Sequence, residues 1–540
     1  MALAVACQPA AAPPKPAESS KPAESKPAAP TAPATKSGEA TKPGATKPAE
    51  QKPTTGAPQA GGQLRIAVSS DFSTLDPHLS TSSYDRQVYQ TVYDTLVRLD
   101  KDLGLTPGLA QSWDLSDPKA VLFKLQPNVA YHDGEPFDAA SVKANVERMK
   151  THPKSLRKGE LNDVASVDVV DPLTVRFNLT QPSSPLLSLL TDRAGMMVST
   201  KAAAAAGDEF ARNPVGTGPF KFAEWVKDDR LVVRKFDRYW EKDAAGVQLP
   251  YLDEVSYKPV PDGNQRLTAL RTNTVDMIDV PSSKDIPTLK SGRELAYSEV
   301  PGLAYRYIQI NVKRAPLDNM ALRQAIAWSI DREAINKAVF FDAGAPAYQA
   351  IPPSSFAFDR AFTANSPRDV EKAKAKVAES GIQNPTFSAM VANTPEDRQL
   401  AEVYKEQLAD VGITMEIELL ENTTLGDRAL KREYMASIGG WSGRPDPDGN
   451  VFNFFHSKGA QNRSDYANPK VDQLLEQARA SYDEATRTRL YGEANALITE
   501  DSPLIFIQHR PEIKVMSPKV QNFVHVPDGM IRLTQVSLAR

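Results

Sequence analysis

The 540-residue chain contains one cysteine, Cys7, which excludes an internal disulfide and a thiolate metal site. It has no apolar run of the length a membrane-spanning helix needs. It has no excess of one charge either. The 64 Lys and Arg against 67 Asp and Glu leave a formal net charge of −3, with both signs mixed throughout. That balance gives no electrostatic footprint for nucleic acid. The six histidines (His78, His132, His152, His456, His509, His525) are scattered, with no second His or Cys at zinc-ligand spacing and no H-E-x-x-H. What remains is a globular composition, 41% hydrophobic and 24% charged. The length calls for two or three domains or lobes rather than one core.

Glycine and proline are unevenly placed. From Gln8 to about Ala60 the chain is almost wholly Pro, Ala, Lys, Glu, Ser, Thr and Gly, without an aromatic residue and without Leu, Ile or Val. Such a segment buries too little apolar surface to offset its ordering entropy. We expect a disordered tether over 8–60 with polyproline II character. Before it, Met1-Ala2-Leu3-Ala4-Val5-Ala6 is small and apolar and ends at Cys7. This resembles the end of a bacterial lipoprotein signal, without its basic n-region and with a short apolar core. Cys7 is therefore the expected lipidation site, over a signal at 1–7.

Folded sequence begins at Gly61. Leu64–Val68 alternates and reads as a strand. Arg86 to Arg98 places Val88, Val92, Leu96 and Val97 on one helical stripe. Short β segments follow at 112–115 and 121–125, and 164–170 pairs with 173–179. A helix from Asp138 to Met149 carries Ser141 near its start. His132 and Asp133 lie in a polar turn. Asn213-Pro214-Val215-Gly216-Thr217-Gly218-Pro219-Phe220 has a GxG but no third glycine, and a strand comes next. It fails as a dinucleotide fingerprint and reads as a hairpin or domain-crossing turn. Strands are expected at 231–235 and 254–259. From about 267 onward, helices alternate with strands in the α/β manner. The expected elements are a strand at 305–311, a helix capped by Asp318, a helix over 331–340, a strand at 386–391, a helix over 395–410 stopped by Gly412, and a strand at 413–419. Two helices near 469–480 and 483–500 precede strands at 504–508 and 512–516.

The stretch richest in chemistry is Gly439-Gly440-Trp441-Ser442-Gly443-Arg444-Pro445-Asp446-Pro447-Asp448-Gly449-Asn450. It follows Tyr434–Ile438, which reads as the end of a buried strand. This density of Gly and Pro predicts a turn at that point. A turn on a strand end holds side chains on a rigid support within reach of a ligand. An indole, a guanidinium and two carboxylates sit there. The same residues would also suit a tight surface turn anchored by Trp441.

Several motifs resemble the extracytoplasmic solute-binding proteins of ABC transporters, in the peptide/nickel/opine class (family 5). They are Ser73-Thr74-Leu75-Asp76-Pro77, Val92-Tyr93-Asp94-Thr95-Leu96-Val97, Leu109-Ala110-Gln111-Ser112-Trp113, Tyr131-His132-Asp133-Gly134-Glu135-Pro136-Phe137, Asn213–Phe220, Tyr251-Leu252-Asp253-Glu254-Val255, Leu322-Arg323-Gln324-Ala325 and Asp331-Arg332. Each is weak alone; their order and spacing are specific. The resemblance implies an α/β, periplasmic-binding-protein-like fold of type II and the three-lobe class, with mixed sheets and a hinge between lobes. Lobe I would comprise 61–93, 197–300 and 503–540, lobe II 94–196, and lobe III 301–502. Lobes I and III would close over a small solute and deliver it to permease subunits with their ATPase. The resemblance further implies a monomer outside the cytoplasm, held to the membrane by a lipid anchor and using no cofactor.

Peptide-binding relatives place an Asp after the Trp-x-Gly/Ala frame, where it pairs with the peptide ammonium. Here Trp441-Ser442-Gly443 is followed by Arg444. A guanidinium accepts no hydrogen bond; it repels an ammonium and suits a carboxylate or phosphate. The turn looks most like the glutathione-binding subgroup. Candidate ligand contacts are Trp441, Arg444, Asp446 and Asp448, with Arg428 as a basic residue ahead of the strand, Tyr305 near the hinge, and Ser82 and Ser83 where relatives pair backbone with ligand. Arg444 has an alternative role in an ion pair with one of the turn aspartates.

Two other readings have less support. A secreted hydrolase finds no nucleophile elbow, since Gly440-Trp441-Ser442-Gly443-Arg444 has Arg in the fifth place. A calcium loop on Asp446–Asn450 lacks the required Gly and Glu, with Val451 and Ser457 in those places.

Overall fold

Two long strands, Ala296–Ile310 and Leu504–Met516, run antiparallel through the middle of the molecule. The computed structural model describes residues 58–539. Cys7, the signal over 1–7 and the tether up to residue 57 lie outside the described residues. Among the described residues, eleven strands form one mixed sheet around this central pair. On one side Leu504–Met516 meets Met277–Ile278, then Gln63–Val68, Glu254–Pro259, Arg230–Lys235 and Phe220–Val226. On the other side Ala296–Ile310 meets Ala436–Trp441, then Thr386–Ala392 and Thr414–Leu420. Pairing is parallel within the Gln63/Glu254 and Thr386/Thr414 pairs and antiparallel along the central pair.

The central ladder shifts register twice, and the wider break comes first. Pro301 pairs with Pro511, and the next pair is Tyr305 with His509. Proline has no N–H to give a ladder, so two prolines face each other where pairing fails and Gly302-Leu303-Ala304 bulges out. Gly302 is pressed against the Arg510 carbonyl, where a Cβ would clash. The sequence pattern had divided this region into strands at 504–508 and 512–516; the chain instead runs straight through His509-Arg510-Pro511 as one strand.

Three of the apolar cores among the described residues position these sheets. One joins Ile66, Phe72, Tyr89, Phe220, Val233 and Tyr257. A second joins Ile308, Leu322, Ile326, Phe387, Leu400 and Tyr404. The third fills a separate four-stranded sheet in the order Ala110–Asp114, Ala120–Leu125, Thr174–Leu179 and Val164–Asp171, packed on the helix Ala139–Thr151. That helix starts with a reciprocal capping box between Asp138 and Ser141.

Other differences from the sequence reading have local causes. The helix expected over 86–98 stops at Val92, and Val97–Leu99 is a strand. Gly216 and Gly218 lie flat against the Val92–Tyr93 backbone, where any Cβ would overlap it. The Asp94 carboxylate is then taken by Arg98, Tyr239 and Trp240. The cap of the helix Met320–Ser329 is Asn319, which accepts from the Leu322 N–H, one residue past Asp318. The strand expected to end at Ile438 continues through Gly439 and Gly440 to Trp441. The missing side chains make room for the partner strand, since a Cβ on Gly439 would sit 3.3 Å from the Tyr307 ring.

Candidate ligand-binding site

The corner is built by hydrogen bonds from one buried amide. Asn450 lies in the first turn of the helix Asp448–Phe455, which the sequence pattern had not indicated. Its Oδ1 accepts from the Trp441 indole at 3.0 Å and from the Arg444 backbone N–H at 2.8 Å. Its Nδ2 donates to the Arg444 carbonyl at 2.8 Å. Gly443, with φ of +74°, is pressed onto the Leu303 carbonyl, where a Cβ would overlap it. The corner therefore rests on the bulge in the central ladder.

Arg444 lies over the Trp441 ring, with its guanidinium carbon 4.5 Å from the centroid. Its Nη1 donates to the Gly443 carbonyl at 2.6 Å and to Ser442 Oγ at 3.2 Å. The nearest carboxylate is Asp192, 3.9 Å from Nε, in the segment between the four-stranded sheet and the main sheet. Asp192 is shared. Arg86 lies 3.2 Å and Arg193 3.7 Å from it. The side chains of Arg86, Arg193 and Arg444 are 5%, 3% and 14% exposed, so three nearly buried guanidiniums converge on one carboxylate. Burial disfavours the charge on Asp192, yet Arg86, Arg193, Arg444 and Arg157 outweigh it and hold the carboxyl well below its usual range. Burial also pushes Arg444 down to about 9, with Asp192 opposing and Arg86 and Arg193 adding to the fall. Three guanidiniums thus face one shared carboxylate, with Glu160 also acting on Arg444 and Asp528 and Glu512 on Arg86.

The other candidates have defined positions. Asp446 accepts two hydrogen bonds from Arg487, at 2.9 and 2.5 Å. Asp448 accepts two from Arg479, at 3.0 and 2.7 Å. Both carboxylates thus tie the corner to the helices Glu484–Asp501 and Pro469–Ala480, and neither pairs with Arg444. Tyr305 is fully buried, packed on Phe454 and Phe506, with its hydroxyl 3.4 Å from the Asn450 carbonyl. Ser82 lies on the opposite wall. Its hydroxyl accepts from the Tyr84 N–H, and its carbonyl accepts from Arg193 at 3.3 Å. Ser83 beside it is exposed. Arg428 is not brought to the corner; it sits on the helix Asn422–Leu430, bonded to Glu418 and to the Glu433 carbonyl.

Sequence reasoning missed Arg86, Asp192, Arg193 and Asn450. Asn450 lay inside the stretch singled out, in the place where an amide can hold a helix start. Nothing local in the sequence marks Asp192 as the partner of Arg86, 106 residues away.

Two other polar features find partners within the protein. His132 faces the glycine turn, with Nε2 2.9 Å from the Gly218 carbonyl and Nδ1 accepting from the Gly216 N–H. An open groove of about 630 Å³ on the sheet face near Gln63 is lined by Arg65, Glu224, Arg230, Arg234 and Glu254. Its arginines pair with Asp276, Glu224 and Glu254.

Residues 104–462 match the bacterial extracellular solute-binding proteins, family 5. The chain is 31% identical over 491 residues to the glutathione-binding protein GsiB of Pectobacterium atrosepticum, covering 88% of this chain and 93% of that protein. Among solved structures it is similar to the periplasmic binding protein DppA of Helicobacter pylori in complex with the peptide STSA, with a TM-score of 0.81, 26% identity, and coverage of 89% and 99% of the two chains. It is also similar to AgaA from A. tumefacien R10 in complex with agropinic acid, with a TM-score of 0.80, 28% identity, and coverage of 89% and 99%.

Proposed function

Since the chain belongs to family 5 of the bacterial extracellular solute-binding proteins, we propose that it captures an anionic, peptide-like solute against Arg444 and hands it to the permease of an ABC importer. The observation that supports this reading is the shared carboxylate at the corner. Three guanidiniums share Asp192, and Arg444 has the longest of the three approaches. A solute carboxylate supplies a second anion and accepts two parallel N–H donors. An ammonium in the same place meets net repulsion. Relatives carry names or bound ligands of fitting kinds: glutathione in one, agropinic acid in another.

The lobes are those of the sequence reading: lobe I (61–93, 197–300, 503–540), lobe II (94–196) and lobe III (301–502). In this reading they meet around the corner. Arg444 reaches Asp192, and the Ser184 N–H and hydroxyl both donate to the Arg479 carbonyl, at 2.9 and 3.0 Å. Ser283 Oγ donates to Glu396 at 2.7 Å. Opening breaks these contacts and swings the lobes about the central strand pair, which stays joined. The protein releases its solute unchanged, acts as a monomer, and is held outside the cytoplasm by a lipid on Cys7.

Calorimetric titration with glutathione, short acidic peptides and opines tests this. A member of that set binds, and Arg444→Ala weakens it by ~2–5 kcal/mol, because removing one partner strands a buried charge. Unchanged affinity in the variant, or no binding from the whole set, contradicts the proposal.

A further inference from the structure

We propose that the buried imidazole of His509 hydrogen-bonds the peptide backbone of the solute, beside the corner where Arg444 takes its carboxylate. The inference rests on the reading above and deepens it: the solute is recognised by its neutral peptide groups as well as by its acid.

The strand register sets the position of the ring. Trp441, Tyr305 and His509 are direct partners on three neighbouring strands, so their side chains leave the sheet on one face. Tyr305 links the other two. Its hydroxyl lies 3.4 Å from the carbonyl of Asn450, the residue that builds the corner, and its ring lies 6.5 Å from the His509 ring, at 76°. On its other side His509 meets the half-buried Phe358, at 5.9 Å and 82°. Tyr305–His509 is also the first pair after the bulge on which the corner rests.

The polar atoms of this ring are unmatched. His509 is 4% exposed, and among the described residues neither of its ring nitrogens has a hydrogen-bond partner. Each of the other five histidines engages at least one nitrogen: His78 with the Met196 carbonyl, His132 with Gly218, His152 with the Lys154 N–H, His456 with Glu476 and His525 with Ser298. The rings packed on His509 offer it no complement, since Phe358 has no polar atom and the Tyr305 hydroxyl faces Asn450. Burying an unpaired donor or acceptor costs ~1–3 kcal/mol, and His509 buries one of each. Burial pushes the ring down to about 3, so it is neutral and carries one N–H and one lone pair. A carboxylate would match only the first. A peptide backbone supplies a carbonyl and an N–H in succession and matches both. Two strand spacings, about 10 Å, separate Trp441 from His509. A solute spanning them is about three residues long.

Three probes test this: glutathione and two analogues in which one or the other peptide N–H is replaced by an ester oxygen. Each is titrated calorimetrically into the wild type, His509→Phe, His509→Gln and Arg444→Ala. The wild type prefers glutathione to one of the esters by about tenfold. His509→Phe, which keeps the aromatic packing, loses that preference and weakens glutathione by a similar factor. His509→Gln, with a donor and an acceptor, recovers part of the loss. Arg444→Ala weakens all three probes and keeps the preference. In nitrogen NMR of histidine-labelled protein, glutathione shifts the ring signals that are missing in His509→Phe. Without solute, His509→Phe melts at or above the wild-type temperature, because no protein group loses a partner. The inference is overturned if His509→Phe keeps both affinity and preference, or if it melts lower and weakens all three probes alike, as loss of a purely structural group would. A wild type that binds none of the three overturns it as well, whereas an opine or acidic peptide bound through Arg444 leaves the proposed function standing.

Discussion

Asn450 is the residue on which the corner depends. Its buried amide makes three hydrogen bonds, to the Trp441 indole and to both backbone groups of Arg444. Leaving such donors and acceptors unpaired costs ~1–3 kcal/mol each. Asn450→Ala should therefore lower unfolding stability by several kcal/mol and weaken solute binding as well, as checked by denaturant titration and calorimetry on the same sample. The two aspartates of the turn form a contrasting pair with Arg428. Asp446 and Asp448 neutralise Arg487 and Arg479. Asp448→Ala strands a mostly buried guanidinium and should cost ~3–5 kcal/mol of stability. Arg428 is part-exposed against a part-exposed glutamate, and Arg428→Ala should cost about 1 kcal/mol or less, with no change in solute affinity. The chemistry of the corner was legible because its residues are contiguous. The partners of its aspartates were not, because they lie 31 and 41 residues away on helices whose facing is set by packing.

At the scale of elements, the interrupted ladder is the feature that matters. Two strands of fifteen and thirteen residues cross the molecule, and their pairing lapses where Pro301 meets Pro511. Gly302 allows that lapse, since a side chain there meets the Arg510 carbonyl and the Glu512 N–H. Gly302→Val should displace the bulge, shift the open–closed equilibrium and weaken binding by more than its effect on stability. Small-angle scattering with and without solute reads this as a smaller ligand-induced change in radius. Alternation and capping signals located most elements: the hairpin of Val164–Asp171 with Thr174–Leu179, the capped helix Ala139–Thr151, and the helix Pro469–Ala480 all fall where the pattern puts them. Continuity through Pro511 could not be read from the chain, since proline is an ordinary strand terminator. The early end of the helix at Val92 is likewise set by Gly216 and Gly218, more than 120 residues later.

At the scale of the whole molecule, Arg444 and the Arg86–Asp192–Arg193 cluster come from distant parts of the chain and form one charge arrangement, which in the proposed function closure assembles. The folded protein also carries buried neutral histidines. Burial lowers His78 and His132 to about 4, and His509 and His525 to about 3, from an ordinary 6.5. Between pH 6.5 and 4 the unfolded chain binds more protons at these sites than the native one. Their contribution is therefore complete above 6.5 and is lost as the pH falls through the folded values. Each group adds up to ~1.4 kcal/mol per pH unit to the slope. Stability measured by denaturant titration should fall across this window, and His132→Gln should flatten the fall. The class of fold could be inferred from motif order along the chain, because that order resembles family 5, whose model matches residues 104–462. The charge arrangement could not, because Arg86, Asp192, Arg193 and Arg444 converge only when the chain folds.

The central claim is that an acidic solute lies against the Trp441 corner. A crystal structure of the protein purified with its solute, or soaked with glutathione, tests it most directly. The account predicts a solute carboxylate at ~2.7–3.2 Å from the Arg444 guanidinium, enclosed between the corner and the loop at Ser82. A solute bound elsewhere, with Arg444 facing only Asp192 and bulk water, contradicts it.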